Sequence, residues 1–164
     1  GLVLKIRATC KLLVITRRSW WCKSSCATAS TVVPMFMNRL VPAGMAAATG
    51  KIAIYRSDAN GRPDTLLLET ASVDMSAAGI KTLAVSQTLL KGQTYWLGLR
   101  SNATPTIAAW TAGATPDVNG GAPSTTARKT VSRTITYSSP APANWGWSSA
   151  EIGAGLAPAI WLVA

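Results

Sequence analysis

Lys51-Ile-Ala-Ile-Tyr-Arg56, Ser57-Asp-Ala-Asn-Gly-Arg-Pro-Asp64 and Thr65-Leu-Leu-Leu-Glu-Thr70 follow one another without a break, and they read as strand, turn and strand. Two β-rich runs flank Asn60-Gly61, a pair that tolerates the positive φ angles a tight hairpin turn requires. The pattern recurs in Gly79-Ile-Lys-Thr-Leu-Ala-Val85 and Thr94-Tyr-Trp-Leu-Gly-Leu-Arg100, with a second turn expected at Lys91-Gly92. Short strands punctuated by turns predict an all-β chain, an antiparallel sandwich of jelly-roll type.

Working outward, strands are expected near 31–37, 39–47, 51–57, 65–73, 79–86, 94–100, 105–111, 130–137 and 157–163, with Pro34 at an edge or bulge. The period of two places Ile52 and Ile54 on one face, and Tyr95, Leu97 and Leu99 on another. Trp96 then points away from Leu97, toward solvent, a second sheet or a neighbouring subunit. Thr111–Thr130 contains Gly113, Pro116, Asn119-Gly-Gly121 and Pro123 without a hydrophobic period, and reads as a long surface loop. No internal repeat or heptad is present.

The 164 residues fit one domain, long enough to bury a core without metals or disulfides. No apolar run reaches the roughly 18 residues of a membrane-spanning helix. Only 13% of residues are charged, so the sheet surfaces suit packing against copies of the same chain. A homo-oligomer is expected, a trimer being one form.

The net charge of +10 is concentrated at the front. Lys5, Arg7, Lys11, Arg17, Arg18, Lys23 and Arg39 stand in residues 1–39 with no acid among them. Residues 1–30 therefore read as a basic arm or as added strands, ahead of a sandwich over 31–164. Such an arm can contact nucleic acid, an anionic surface or an acidic protein. A subunit-bridging or solvated arm is the reading preferred over nucleic acid. Its apolar pieces are interrupted by Lys5, Arg7 and Lys11, so they do not form the continuous apolar core of a secretion signal.

Cys10, Cys22 and Cys26 are odd in number, which rules out a closed disulfide set within one copy of the chain. The C-x₃-C pair lacks histidine partners and makes a poor zinc site. Free thiols in a reducing compartment are expected. No metal and no cofactor is called for.

Catalysis is poorly supplied. The acids are Asp58, Asp64, Glu69, Asp74, Asp117 and Glu151, and there is no histidine, so acid–base work at neutral pH would need a tuned carboxylate pair or lysine. Asp58 and Asp64 are the nearest pair, but they stand in a turn, where such side chains bond local backbone. Arg62 between them argues against a calcium site. No phosphate-binding glycine loop or nucleophile elbow is present. The chain is expected not to be an enzyme.

Aromatic residues are the remaining binding candidates. Trp110, Tyr137, Trp145 and Trp147 together would make a platform for sugar rings, because indole combines a broad apolar face with an N–H donor. The competing reading places Trp145 and Trp161 in the core or at a subunit contact. Arg128, Lys129 and Arg133 add positive charge nearby, which single-stranded nucleic acid would use; a solvated cluster is the simpler expectation.

The hairpin text, with Ser86-Gln-Thr-Leu89, Gly92-Gln-Thr-Tyr-Trp-Leu97 and Pro158-Ala-Ile-Trp-Leu162, resembles a group of bacteriophage virion proteins. Their β-sandwich carries a "GIY…NG-x-P-G-x-LL" hairpin and a "G-x-YWLA" strand. The resemblance runs from about Thr31 to Ala164, with Asp64 where the group commonly has glycine, and residues 1–30 outside it. It implies a structural or recognition role on the surface of a phage-like particle made in the bacterial cytoplasm, and carries no catalytic residues.

The expected function is therefore non-enzymatic. Lys5, Arg7, Lys11, Arg17, Arg18 and Lys23 would anchor the chain to other virion proteins, while the sandwich meets host polysaccharide as part of a tail fibre or adhesion device. Capsid decoration, cement or a head spike is the alternative within that class. A free carbohydrate-binding module is the alternative outside it.

Overall fold

The computed structural model describes residues 3–5, 12–19, 33–38, 47–90, 93–109, 130–153 and 158–163. They form an all-β arrangement of β1 (Val3–Lys5), β2 (Leu12–Ser19), β3 (Val33–Asn38), β4 (Thr49–Ser57), β5 (Pro63–Glu69), β6 (Val73–Asp74), β7 (Gly79–Thr82), β8 (Thr94–Ser101), β9 (Thr106–Ala108), β10 (Thr130–Thr134), β11 (Ile152–Gly153) and β12 (Ile160–Val163), with one 3₁₀ turn at Ser149–Glu151. The main sheet has seven strands in the order β11-β10-β2-β8-β4-β5, with β6 also paired to β4. A three-stranded sheet runs β12-β3-β7, and β1 pairs with β9. Every strand pairing is antiparallel.

β4 and β8 form the centre, in a register that sets Ile52 against Leu99 and Ile54 against Leu97. Ile52, Ile54, Tyr95, Leu97 and Leu99 thus share one face, where they join Ala48, Met75, Ile107 and Ile160 in a buried cluster. The sequence reading gave the two strands separate faces; the pairing register puts them together. Each fully buried aliphatic side chain here contributes about 1.5–3 kcal/mol.

The opposite face is covered too, and by the chain itself. Ala53, Tyr55, Trp96 and Val131 pack there against Ala141 and Trp145 from the segment after β10. Trp96 does point away from Leu97, as expected, but it meets neither solvent nor a neighbouring subunit. It is fully buried and donates its indole N–H to the Gly61 carbonyl at 3.1 Å, tying the hairpin loop to the sheet. Burial on both faces explains why the Tyr95–Ser101 run is buried without alternation.

The hairpin exists, with a wider turn than Asn-Gly alone demands. Ser57 pairs with Pro63, leaving residues 58–62 as the loop. Gly61 alone takes a positive φ, 75°, while the Asp58 carboxylate accepts from the backbone N–H groups of Asn60 and Arg62, each at 2.8 Å. Asp58 is a turn former, as its position suggested.

The basic front of the chain contributes strands. β2 lies between β8 and β10, with Thr16 opposite Leu97 and Arg17 opposite Trp96. Leu12-Leu-Val-Ile15 supplies the apolar, partly β-branched run that an interior strand favours. Of the two expectations for residues 1–30, added strands describe residues 3–5 and 12–19.

Pro34 stands in the middle strand of the three-stranded sheet rather than at an edge. Its cost is visible on one side, where the ladder with β7 ends at Met35 opposite Thr82, one residue short of the proline. An imide nitrogen has no hydrogen to donate, and β7 accordingly stops at Thr82 instead of 86. The expected strand at 39–47 lies mainly outside the described residues; the Lys91-Gly92 turn and the loop over 111–129 lie wholly outside them.

The β5 edge of the main sheet is protected. Along β5, Leu66 N–H donates to the Ala143 carbonyl at 2.9 Å and Trp145 N–H to the Asp64 carbonyl at 2.7 Å, so the 143–145 segment covers an edge that would otherwise invite pairing.

Candidate functional site

The 136–147 segment carries most of the candidate aromatics, and two arginines hold it to the sheet. At one end Arg100, 2% exposed, forms an ion pair with Glu69. Its Nη2 also donates to the carbonyls of Thr136, Tyr137 and Ser139 at 2.9, 3.1 and 2.7 Å. The other Glu69 oxygen accepts the Ala141 N–H at 3.0 Å. At the other end Arg133 Nε donates to Glu151 at 2.6 Å, and Arg133 Nη2 to the Gly146 carbonyl at 2.8 Å.

Trp145 belongs to this clamp. It is fully buried, its ring meets Tyr55 edge to face at 5.4 Å, and Arg133 lies 4.8 Å from its centroid. Its indole N–H goes to Glu151 at 2.8 Å. With both ring and donor engaged, Trp145 has no face to offer a sugar; the core reading of this residue is the one its surroundings fit.

Tyr137 is half-buried. Its hydroxyl accepts from Thr49 Oγ1 at 2.9 Å and lies 3.2 Å from Ser72 Oγ. Lys51 Nζ is 5.3 Å and the Arg100 guanidinium 5.7 Å from its ring centre, close enough for cation–π attraction. Trp147 is also half-buried, packed beside the Trp96–Trp145 cluster, with the exposed Arg62 side chain 5.4 Å from its ring centre.

These two rings do not form one platform. Tyr137 sits by Lys51 and Trp147 by the loop that follows Ser57, six residues farther along β4, or about 20 Å of strand. Trp110 lies outside the described residues. The four expected aromatics therefore separate into a buried core residue, two partly exposed rings at opposite ends of the sheet, and one without a described position.

Beside Arg62 the hairpin loop opens a depression of about 330 Å³, lined by residues 57–61 with Gln93 and Thr94. The Ser57 hydroxyl is buried there without a partner among the described residues. Hydroxyls and amides dominate this wall, a surface suited to polar, hydroxylated ligands.

The described carboxylates are taken up locally. Glu69 and Glu151 are held by arginines, Asp58 closes its turn, and Asp64 accepts from the Thr65 hydroxyl. Asp74 accepts from the Ser76 N–H and hydroxyl, bonds that hold its carboxyl below the usual value. No group of three or more metal-ligating side chains occurs among the described residues, and no helix among them is long and apolar enough to cross a membrane.

Of the anchoring candidates, Lys5 lies in β1, and Arg17 and Arg18 in β2; Arg7, Lys11 and Lys23 lie outside the described residues. Arg133, expected to be solvated, is instead in β10 and ion-paired; Arg128 and Lys129 lie outside. Sequence reasoning did not single out Arg62, Glu69 or Arg100. Arg100 had one available signal, because it alternates with Leu97 and Leu99 on the strand face shared with Trp96.

Comparison with protein-family models, curated proteins and solved structures found no match.

Proposed function

We propose that the chain is a non-enzymatic structural protein of a phage-like particle, built as a β-sandwich of jelly-roll type and presenting the hairpin end of its main sheet to host-surface glycan. The sandwich reading is supported by the core cluster, in which Ile107 of β9 and Ile160 of β12 join side chains of β4 and β8. A tail fibre or adhesion device is the preferred location.

The observation that carries the recognition role is the pairing of Trp147 with Arg62 next to a polar depression. A pyranose beside the indole meets an apolar ring surface, while Arg62 brings donors suited to sugar hydroxyls or a sugar carboxylate. Arg62 stands in a loop whose backbone the Asp58 carboxylate fixes, and Trp147 packs against the core cluster, so little ordering of the backbone is required on binding. The use of described carboxylates in turns and ion pairs favours binding over catalysis.

A glycan array probed with the purified chain tests this reading. Binding is expected to a subset of bacterial surface polysaccharides, and to fall about tenfold or more in both Arg62→Ala and Trp147→Ala. Arg62 is exposed, so its variant tests the contact apart from folding. An array without binding, or unchanged binding in Arg62→Ala and Trp147→Ala, would refute the glycan role.

A further inference from the structure

Ile80 and Leu90, respectively 54% and 63% exposed, are the large hydrophobic side chains left open among the described residues, and both belong to one extended stretch. From Lys81 to Leu90 burial alternates strictly, with odd-numbered residues half-buried and even-numbered residues exposed. That period of two marks a β-like backbone, although β7 ends at Thr82. Leu83 and Leu89 pack on the core, and Leu90 N–H donates to the Tyr95 hydroxyl at 2.7 Å, so both ends are fixed. No backbone N–H of residues 84–89 has a hydrogen-bond partner among the described residues. β7 is the end strand of its sheet.

We propose that residues 80–90 pair edge to edge, antiparallel, with the same residues of a second copy of this chain about a two-fold axis at Val85. The exposed residues read Ile80, Thr82, Ala84, Ser86, Thr88 and Leu90, the same chemistry in either direction. Around Val85 this register sets Ile80 against the second copy's residue 90, Thr82 against 88 and Ala84 against 86. Apolar pairs, hydroxyl pairs and small pairs then face one another twice over, and such cross-strand matches stabilise a sheet. A two-fold interface requires this self-complementarity.

Charge points to the same occupant. A chain of net charge +10 repels its copies over most orientations, and Lys81 is the one charged residue between Met75 and Leu90. In the proposed register it opposes Leu89 of the second copy, so no charge faces a like charge. A single strand edge buries less than the about 800 Å² per partner typical of stable complexes. The pairing is therefore weak in dilute solution and populated where copies are concentrated.

Sedimentation velocity of the full chain over a wide concentration series reads this directly. Wild type should show a monomer–dimer equilibrium. Thr82→Lys with Thr88→Lys, both exposed positions, sets lysine against lysine twice and should weaken the dimer by roughly tenfold or more. Thr82→Glu with Thr88→Lys sets opposite charges in the same places and should restore it, with urea midpoints unchanged in both variants. A chain that stays monomeric, a trimer, or a dimer indifferent to both charge patterns would overturn the proposal.

Discussion

The Arg100 guanidinium and the Glu69 carboxylate meet beneath the 136–141 turn, and each also holds backbone of that turn, so the pair clamps the covering segment as well as balancing its own charge. Removing one partner of a buried pair leaves the other unpaired, which costs about 3–5 kcal/mol. Arg100→Met should therefore lower stability by that amount in urea unfolding. Adding Glu69→Leu removes the stranded charge but leaves the Thr136, Tyr137 and Ser139 carbonyls and the Ala141 N–H short of partners. The double variant should stay about 1–3 kcal/mol below wild type; full recovery would show that the backbone bonds carry little.

Tyr55 sets an alkaline limit on stability. Its hydroxyl donates to the Pro142 carbonyl at 2.9 Å, and burial, reinforced by the nearby Glu69 charge, raises its pKa well above the ordinary 10. The unfolded chain loses this proton first as pH rises, so the contribution is complete below pH 10 and declines above it. One such group gives a slope of about 1.4 kcal/mol per pH unit. In urea unfolding between pH 10 and 11.5, Tyr55→Phe should have a shallower slope by about one proton, and at neutral pH should cost about 0.5–1.5 kcal/mol.

Gly50 is small because Met75 fills its space. A Cβ at Gly50 would clash with Met75 Sδ and lie 3.3 Å from the Arg100 carbonyl oxygen. Gly50→Ala should cost about 1–3 kcal/mol through overpacking, and Met75→Ala about 2–5 kcal/mol through the cavity. Combined, the two should cost clearly less than their sum, since the new methyl enters the vacated space. Additive losses would contradict the contact.

β2 makes the front of the chain part of the sheet. Thr16 lies in the interior strand between β8 and β10, where proline removes a ladder bond and is scarcely tolerated. Thr16→Pro, and deletion of residues 1–30, should both abolish cooperative unfolding of the main sheet. A truncated chain that unfolds like wild type would return these residues to the status of a detachable arm.

The legible parts of the sequence were those governed by local chemistry. Asp58 and Gly61 announced the loop, and the alternation in β4 and β8 announced Ile52, Ile54, Leu97 and Leu99 as core. Register was not legible, because the face shared by β4 and β8 depends on a pairing between strands far apart in sequence. Trp96 and Trp145 stay open between surface and interior readings in the sequence, because local alternation does not show that 139–147 folds back over the sheet. The Arg100–Glu69 clamp escaped for the same reason, since its worth lies in backbone carbonyls brought from residues 136–139. The proline effect in β3 was visible as chemistry but not as position.

Locating the chain in purified phage-like particles decides whether it is, as proposed, a surface component of a particle. Quantitative imaging with a label on the chain should find fixed, repeated copies on the outside, a few at one end for an adhesion device or many over the shell for decoration. Purified particles without the chain, from cells that make both, would contradict the account.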